Sequence, residues 1–126
     1  MKIDLQEPEL VTVRSALNVL IEGYRAMVEK ETNDADKADL RNYVEAGEAM
    51  RRRFLVLPPK EGEKVEFSLT PGDLSVLERA LRMSAAKWQA MIRPYHTPEA
   101  KAAYRGEVTE VNDLITRLRV ARGLPW

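Results

Sequence analysis

The chain of 126 residues has no cysteine and a single histidine. Without cysteine there is no disulfide framework, no thiolate nucleophile and no Cys-ligated zinc. A lone His96 leaves nothing for the paired Glu-x-x-His segments of a ferritin-like di-iron bundle. The 6 glycines are scattered. No Gly-rich turn follows a strand and no G-x-x-x-x-G-K occurs, so the usual phosphate-cradling loops are missing. No stretch approaches the roughly 18 consecutive apolar residues of a membrane span. The opening MKIDLQEPEL carries no apolar run behind its lysine, so a cytoplasmic protein without a secretory signal is expected. Charge of one sign is also missing: 20 acids balance 20 bases.

What the chain does have is an internal repeat. Leu5, Leu10, Ala16, Leu17, Ala26, Met27, Lys37, Ala38, Arg41, Val44, Arg53 and Val56 recur without a gap as Leu69, Leu74, Ala80, Leu81, Ala90, Met91, Lys101, Ala102, Arg105, Val108, Arg117 and Val120. Tyr24 and Trp88 are a conservative swap at the same phase. A repeat of this length is one supersecondary unit written twice. The two copies differ in charge, with 13 acids and 10 bases in residues 1–63 against 7 acids and 10 bases in 64–126. Opposite charge of this kind favours docking of unlike halves and polarises the surface.

Each copy reads as an α-hairpin. Leu10, Val13, Leu17, Leu20, Tyr24 and Met27 recur at steps of three and four, which predicts a first helix from Glu7 to about Glu31. Residues 32–36 are polar and supply capping side chains for a second helix. That helix carries Leu40, Tyr43, Gly47, Met50, Phe54 and Leu57 on one stripe and runs to about Val56, where Pro58 and Pro59 stop it. Thr70, Pro71 and Asp73 open a third helix as N-cap, first position and capping-box partner. Its stripe is Leu74, Leu77, Leu81, Ser84, Trp88 and Met91, and Pro94 ends it. Thr97, Pro98 and Glu99 open a fourth helix on Tyr104, Val108, Val111, Ile115 and Leu118. Gly123 is placed as the left-handed residue past its end, with Leu124 folding back. Strict alternation in residues 2–5 and 65–69 predicts two short strands that pair as a ribbon. The expected fold is all-α: a four-helix bundle of two tandem, pseudo-twofold hairpins in one domain, residues 3–57 and 67–126, joined by a linker over 58–66.

The acidic pairs are the first candidates for chemistry. Glu45 and Glu48 on the second helix, with Glu107, Glu110 and Asp113 on the fourth, share helix faces at spacings of three. An E-x-x-E segment with an E-x-x-D segment resembles the motif of the all-helical nucleotide pyrophosphohydrolases related to MazG. The resemblance covers those few residues and implies a divalent-metal-dependent hydrolase. In that family the segments lie on consecutive helices, whereas here about 60 residues part them. The ordinary reading of these acids is a solvated face.

The remaining candidates are basic or aromatic. Arg51, Arg52 and Arg53 end the second helix, and Arg117, Arg119 and Arg122 decorate the equivalent end of the fourth. Such residues offset the negative end of the helix dipole, and their functional reading is contact with nucleic-acid phosphates. Three consecutive arginines span about 300° of a helix and cannot all face one groove. Arg93, Tyr95 and His96 fall in the turn of the second hairpin, and Trp126 ends the chain. No serine or carboxylate stands beside His96 for a triad.

The leading expectation is a non-enzymatic module that binds another protein through Arg93, Tyr95, His96 and Trp126, with Arg51, Arg52 and Arg53 as a second patch. Neither cofactor nor metal is expected, and a homodimer is plausible for such helices. Nucleic-acid binding is the second reading and a metal-dependent hydrolase the third.

Overall fold

The computed structural model describes residues 1–55, 60 and 62–123. In chain order they form β1 (Lys2–Leu5), α1 (Glu7–Lys30), α2 (Asp34–Arg53), β2 (Val65–Ser68), α3 (Pro71–Met91) and α4 (Pro98–Ala121). Helices α1 and α2 make one hairpin and α3 and α4 the other, and the two pack as a helical bundle laced by a two-stranded antiparallel sheet. Among the described residues no helix is long and apolar enough to cross a membrane.

The helix starts follow from their capping residues. Thr70 Oγ1 accepts from the Asp73 N–H at 3.1 Å while Asp73 Oδ2 accepts from the Thr70 N–H at 3.0 Å. Gln6 donates its N–H to Glu9 Oε1 at 3.0 Å. Asn33 and Thr97 cap α2 and α4 through the N–H groups of Asp36 and Ala100, both at 3.1 Å. Each bond satisfies a donor that the first helical turn leaves unpaired. Helix α1 ends one residue before the predicted Glu31, whose carboxylate instead accepts from the N–H groups of Thr32 and Asn33 at 3.0 and 2.9 Å. Helix α2 ends at Arg53, short of the predicted Val56, with Phe54 as its C-cap. Val56, Leu57, Pro58, Pro59 and Leu124 lie outside the described residues. Gly123 takes φ 72° past the end of α4, a conformation that favours glycine.

The ribbon pairs Lys2 with Ser68, Ile3 with Phe67, Asp4 with Glu66 and Leu5 with Val65. Leu69, predicted as the last residue of the second strand, follows β2 but still donates its N–H to the Met1 carbonyl at 2.7 Å. Ile3 and Phe67 are equivalent positions of the repeat, so the local twofold that relates the hairpins passes through this pair. It follows that α1 and α3 leave the ribbon in opposite senses and cross antiparallel. Arg79, early in α3, hydrogen-bonds Tyr24 late in α1, while Trp88, late in α3, lines a groove with Val11 and Ser15 early in α1.

Burial is concentrated around that crossing. Leu10, Leu17, Leu20 and Ile21 of α1 meet Leu74, Leu77 and Leu81 of α3, and Leu5, Phe54, Phe67 and Leu69 close the ribbon end. Phe54 packs on Phe67 with ring centroids 4.4 Å apart and the planes tilted by 34°. The fully buried residues of the outer helices lie in their C-terminal halves, Gly47 and Met50 in α2 and Val111, Leu114, Ile115 and Leu118 in α4, while Leu40 and Tyr43 of α2 pack on the core partly buried. The predicted stripes would have buried a core along the whole length of each hairpin. Instead Leu40 and Tyr43 are half-buried and Met27 and Met91 are exposed, because beyond the crossing each hairpin packs mainly on itself. Gly47 brings α2 close to α1, since a Cβ there would stand 2.7 Å from Leu20 Cδ2 and 3.0 Å from Ile21 Cγ1.

Two reciprocal arginine clamps hold the halves together. Arg53, in the first repeat, donates to Asp73 Oδ2 at 2.8 Å and to the Ser68 carbonyl at 2.6 Å, both in the second. Its equivalent Arg117 donates to Glu9 and, at 2.6 Å, to the Asp4 carbonyl, both in the first. Each acceptor acid also caps the helix it belongs to. Lys2 and Glu66 add an exposed pair at 3.4 Å. Two of these three cross-half pairs join a base of the acidic half to an acid of the basic half, so specific pairs rather than net charge set the docking.

Replacing Arg53 or Arg117 by Ala should lower the unfolding free energy by about 1–2 kcal/mol each in urea titrations, mostly through the lost carbonyl contacts, since the guanidiniums are partly in water. Gly47→Ala raises helix propensity by about 1 kcal/mol yet should be net destabilising, because overpacking costs about 1–3 kcal/mol. A more stable Gly47→Ala protein would refute the close approach.

Candidate functional site

The turn of the second hairpin is built from its own backbone. The His96 N–H donates to the Arg93 carbonyl at 3.1 Å, and the Arg93 N–H donates back to His96 Nδ1 at 3.1 Å. Accepting at Nδ1 places the proton of the neutral ring on Nε2. The Arg93 guanidinium folds onto the Ala90 carbonyl, where it satisfies the end of α3, a helix with no basic residue in its own last turn. Tyr95 meets the His96 ring edge-on at 4.8 Å, His96 lies 5.4 Å from Tyr104, and Tyr104 lies 5.8 Å from Trp88. Four rings thus form a ladder from the outer end of α3 to the tip. Tyr95 is 81% exposed at its end.

The structure places the other predicted residues elsewhere. Arg51 donates to Asn18 Oδ1 at 2.9 Å, Arg53 is committed to its clamp, and Arg52 is exposed between them. The three arginines therefore point to separate surroundings, as their helical spacing predicts. Arg93, Tyr95 and His96 share one turn. Trp126 lies outside the described residues. Of the acids, Glu48 pairs with Arg25, whereas Glu107 and Glu110 line a hollow with Glu7. Among the described residues no three histidines or acids are grouped to hold a metal ion.

A second constellation was not singled out from the sequence. Glu78, on α3, accepts from three guanidiniums: Arg82 at 2.8 Å and Arg119 at 2.9 Å on Oε1, and Arg122 at 2.7 Å on Oε2. Arg79 stands beside them, donating to the Tyr24 hydroxyl at 2.8 Å and lying 4.5 Å over the Tyr43 ring. These four arginines and Glu78 line a groove of about 640 Å³ whose apolar walls are Tyr24, Met27 and Met83. Burial alone would raise the Glu78 carboxyl, but hydrogen bonds from Arg82 and Arg119 and their charge outweigh it and hold the group below the usual range. The available signal was a break in the repeat. Arg14, Ser15, Asn18 and Leu55 stand where the second copy has Glu78, Arg79, Arg82 and Arg119.

No protein-family model, curated protein or solved structure matches this chain. The fold and its surfaces define a two-hairpin helical bundle with an aromatic tip at one end and an arginine groove along α3.

Asp73 behaves as Glu78 does: burial raises its carboxyl, while the Thr70 N–H and Arg53 outweigh burial and lower it. Carboxyls lowered in the folded chain stabilise it above their ordinary values and release that stability as pH falls through the folded ones. The melting temperature should therefore drop as pH is lowered below the ordinary 4.5 of glutamate and 3.8 of aspartate. Glu78→Gln should be less stable at neutral pH and lose less on acidification, which thermal unfolding across that range would read.

Proposed function

We propose that the protein is a non-catalytic interaction module that engages a partner protein through the tip of its second hairpin, with Tyr95 as the anchor and Arg93 and His96 beside it. The observation that carries this reading is an aromatic ring that is almost wholly in water at the end of a packed ladder of rings. Tyr95 is 81% exposed, and its position is set by the Arg93–His96 turn and by the ring ladder running back to Trp88. A large amphipathic side chain with few rotatable bonds loses little entropy on binding, and tyrosine and arginine are enriched among residues that dominate interface energies. Arg93 stands beside Tyr95, and Lys101 and Arg105 follow in the first turns of α4, so the reading favours an acidic, partly apolar partner surface. The first hairpin offers no counterpart: its turn is acidic, and Tyr24 is buried against Tyr43 with centroids 4.9 Å apart.

A photo-crosslinking residue at position 95 should give one discrete adduct in native lysate, and the same residue at position 34 in the first turn should not. Tyr95→Ala should reduce recovery of that partner about tenfold, the 1.4 kcal/mol expected of one anchor, with an unchanged melting temperature. Equal adducts from both positions would refute the reading. Light scattering on the same variant tests the homodimer: a dimer that dissociates on Tyr95→Ala makes the partner a second copy.

A further inference from the structure

We infer that the groove over Glu78 is a binding site for a compact, multiply charged oxyanion of the phosphate type. The site is independent of the hairpin tip, about 20 Å along α3 at 1.5 Å per residue. Its first mark is an excess of charge held at contact distance. Arg82, Arg119 and Arg122 all converge on one carboxylate, within 2.7–2.9 Å of its oxygens, and Arg79 adds a fourth cation to the same groove. Leaving Arg119 aside, one carboxylate cannot neutralise the guanidiniums of Arg79, Arg82 and Arg122, so like charges stand close together in the groove. Arg82 and Arg122 each give one nitrogen to Glu78, and a guanidinium carries five N–H donors in a fork matched to phosphate and carboxylate oxygens. Glu78 thus serves as the holder that sets the spacing of the donors.

The second mark is the internal repeat, which acts as a control. The first copy has Arg14 where the second has Glu78, and Arg14 Nε donates to the Phe54 carbonyl at 2.6 Å. The aligned Ser15, Asn18 and Leu55 carry no charge. Folding a hairpin of this kind therefore does not call for four arginines. They belong to the second copy alone.

The shape of the cluster selects the ligand. Three guanidiniums gathered on one carboxylate match a single di- or trianionic group, whereas a nucleic-acid backbone spaces its charges along a line and is met by cations spread along a surface. The groove is large enough for more than a bare ion, at about 640 Å³, and Met27 and Met83 give it an apolar wall. A phosphorylated small molecule with an apolar body fits both features.

Isothermal titration of the intact protein with inorganic phosphate and inorganic pyrophosphate, at ionic strength matched with chloride, tests this. Saturable binding is expected, with pyrophosphate at least about tenfold tighter than phosphate. Arg82 is 56% exposed at its side chain, so Arg82→Gln should fold normally by circular dichroism and weaken pyrophosphate binding about tenfold. Arg122→Gln provides a second reading of the same loss, Arg82→Lys should fall between the parent and Arg82→Gln, and Arg93→Gln at the tip should bind as the parent does. The inference is overturned if neither anion binds saturably, or if folded Arg82→Gln and Arg122→Gln bind like the parent. Binding of a generic DNA duplex more tightly than pyrophosphate, with a steep salt dependence, would also overturn it in favour of backbone contact.

Discussion

Everything in this fold turns on a four-residue ribbon clamped from both sides. Ile3 faces Phe67 across the local twofold, and Arg53 and Arg117 reach over it in opposite directions, each to the other repeat's strand carbonyl and helix-capping acid. A two-stranded ribbon alone is marginal in water. Here the same carboxylates cap α1 and α3 and accept the arginines, so helix initiation, strand pairing and docking of the halves are one cooperative unit. The antiparallel crossing of α1 and α3 follows from that symmetry, and it sends the two hairpin turns to opposite ends of the molecule.

Beyond the crossing the constraint relaxes. The distal half of α2 buries no side chain fully, and its apolar residues are few. Segments with little buried apolar surface open at lower free energy than the core, so the outer ends are where the fold is most easily rearranged. The two ends answer this differently. Tyr24 and Tyr43 stack under Arg79 in the first hairpin, tying that hairpin to α3. The second hairpin holds its tip with Trp88, Tyr104 and His96, a ladder that leaves Tyr95 outside.

The symmetry separates scaffold from specialisation. What both copies share, the leucine stripes and the clamps, is accounted for by packing and helix ends. What only the second copy has, the closed Arg93–His96 turn and the arginines around Glu78, is surplus to that scaffold. The two features lie on one hairpin but well apart along α3, and they present different chemistry: an aromatic anchor in one place and concentrated positive charge in the other.

The sequence by itself determined the helices, the caps at Thr70 and Thr97, the strands at Ile3 and Phe67, and the twofold relation between hairpins. Those depend on local periodicity and on side chains bonding to backbone three residues away, which a linear reading captures. It also told that Arg51, Arg52 and Arg53 would diverge, because helical spacing alone dictates it. Tertiary structure decided where the core stops, since Met27, Trp88 and Met91 look no different in their stripes from Leu10 and Leu74 until the crossing point of α1 and α3 is known. It decided as well that Arg53 and Arg117 are clamps rather than free helix-end charges, and that Arg79 and Arg82 of α3 meet Arg119 and Arg122 of α4 around Glu78. About 40 residues of chain part those groups, and only packing between helices brings them to one carboxylate.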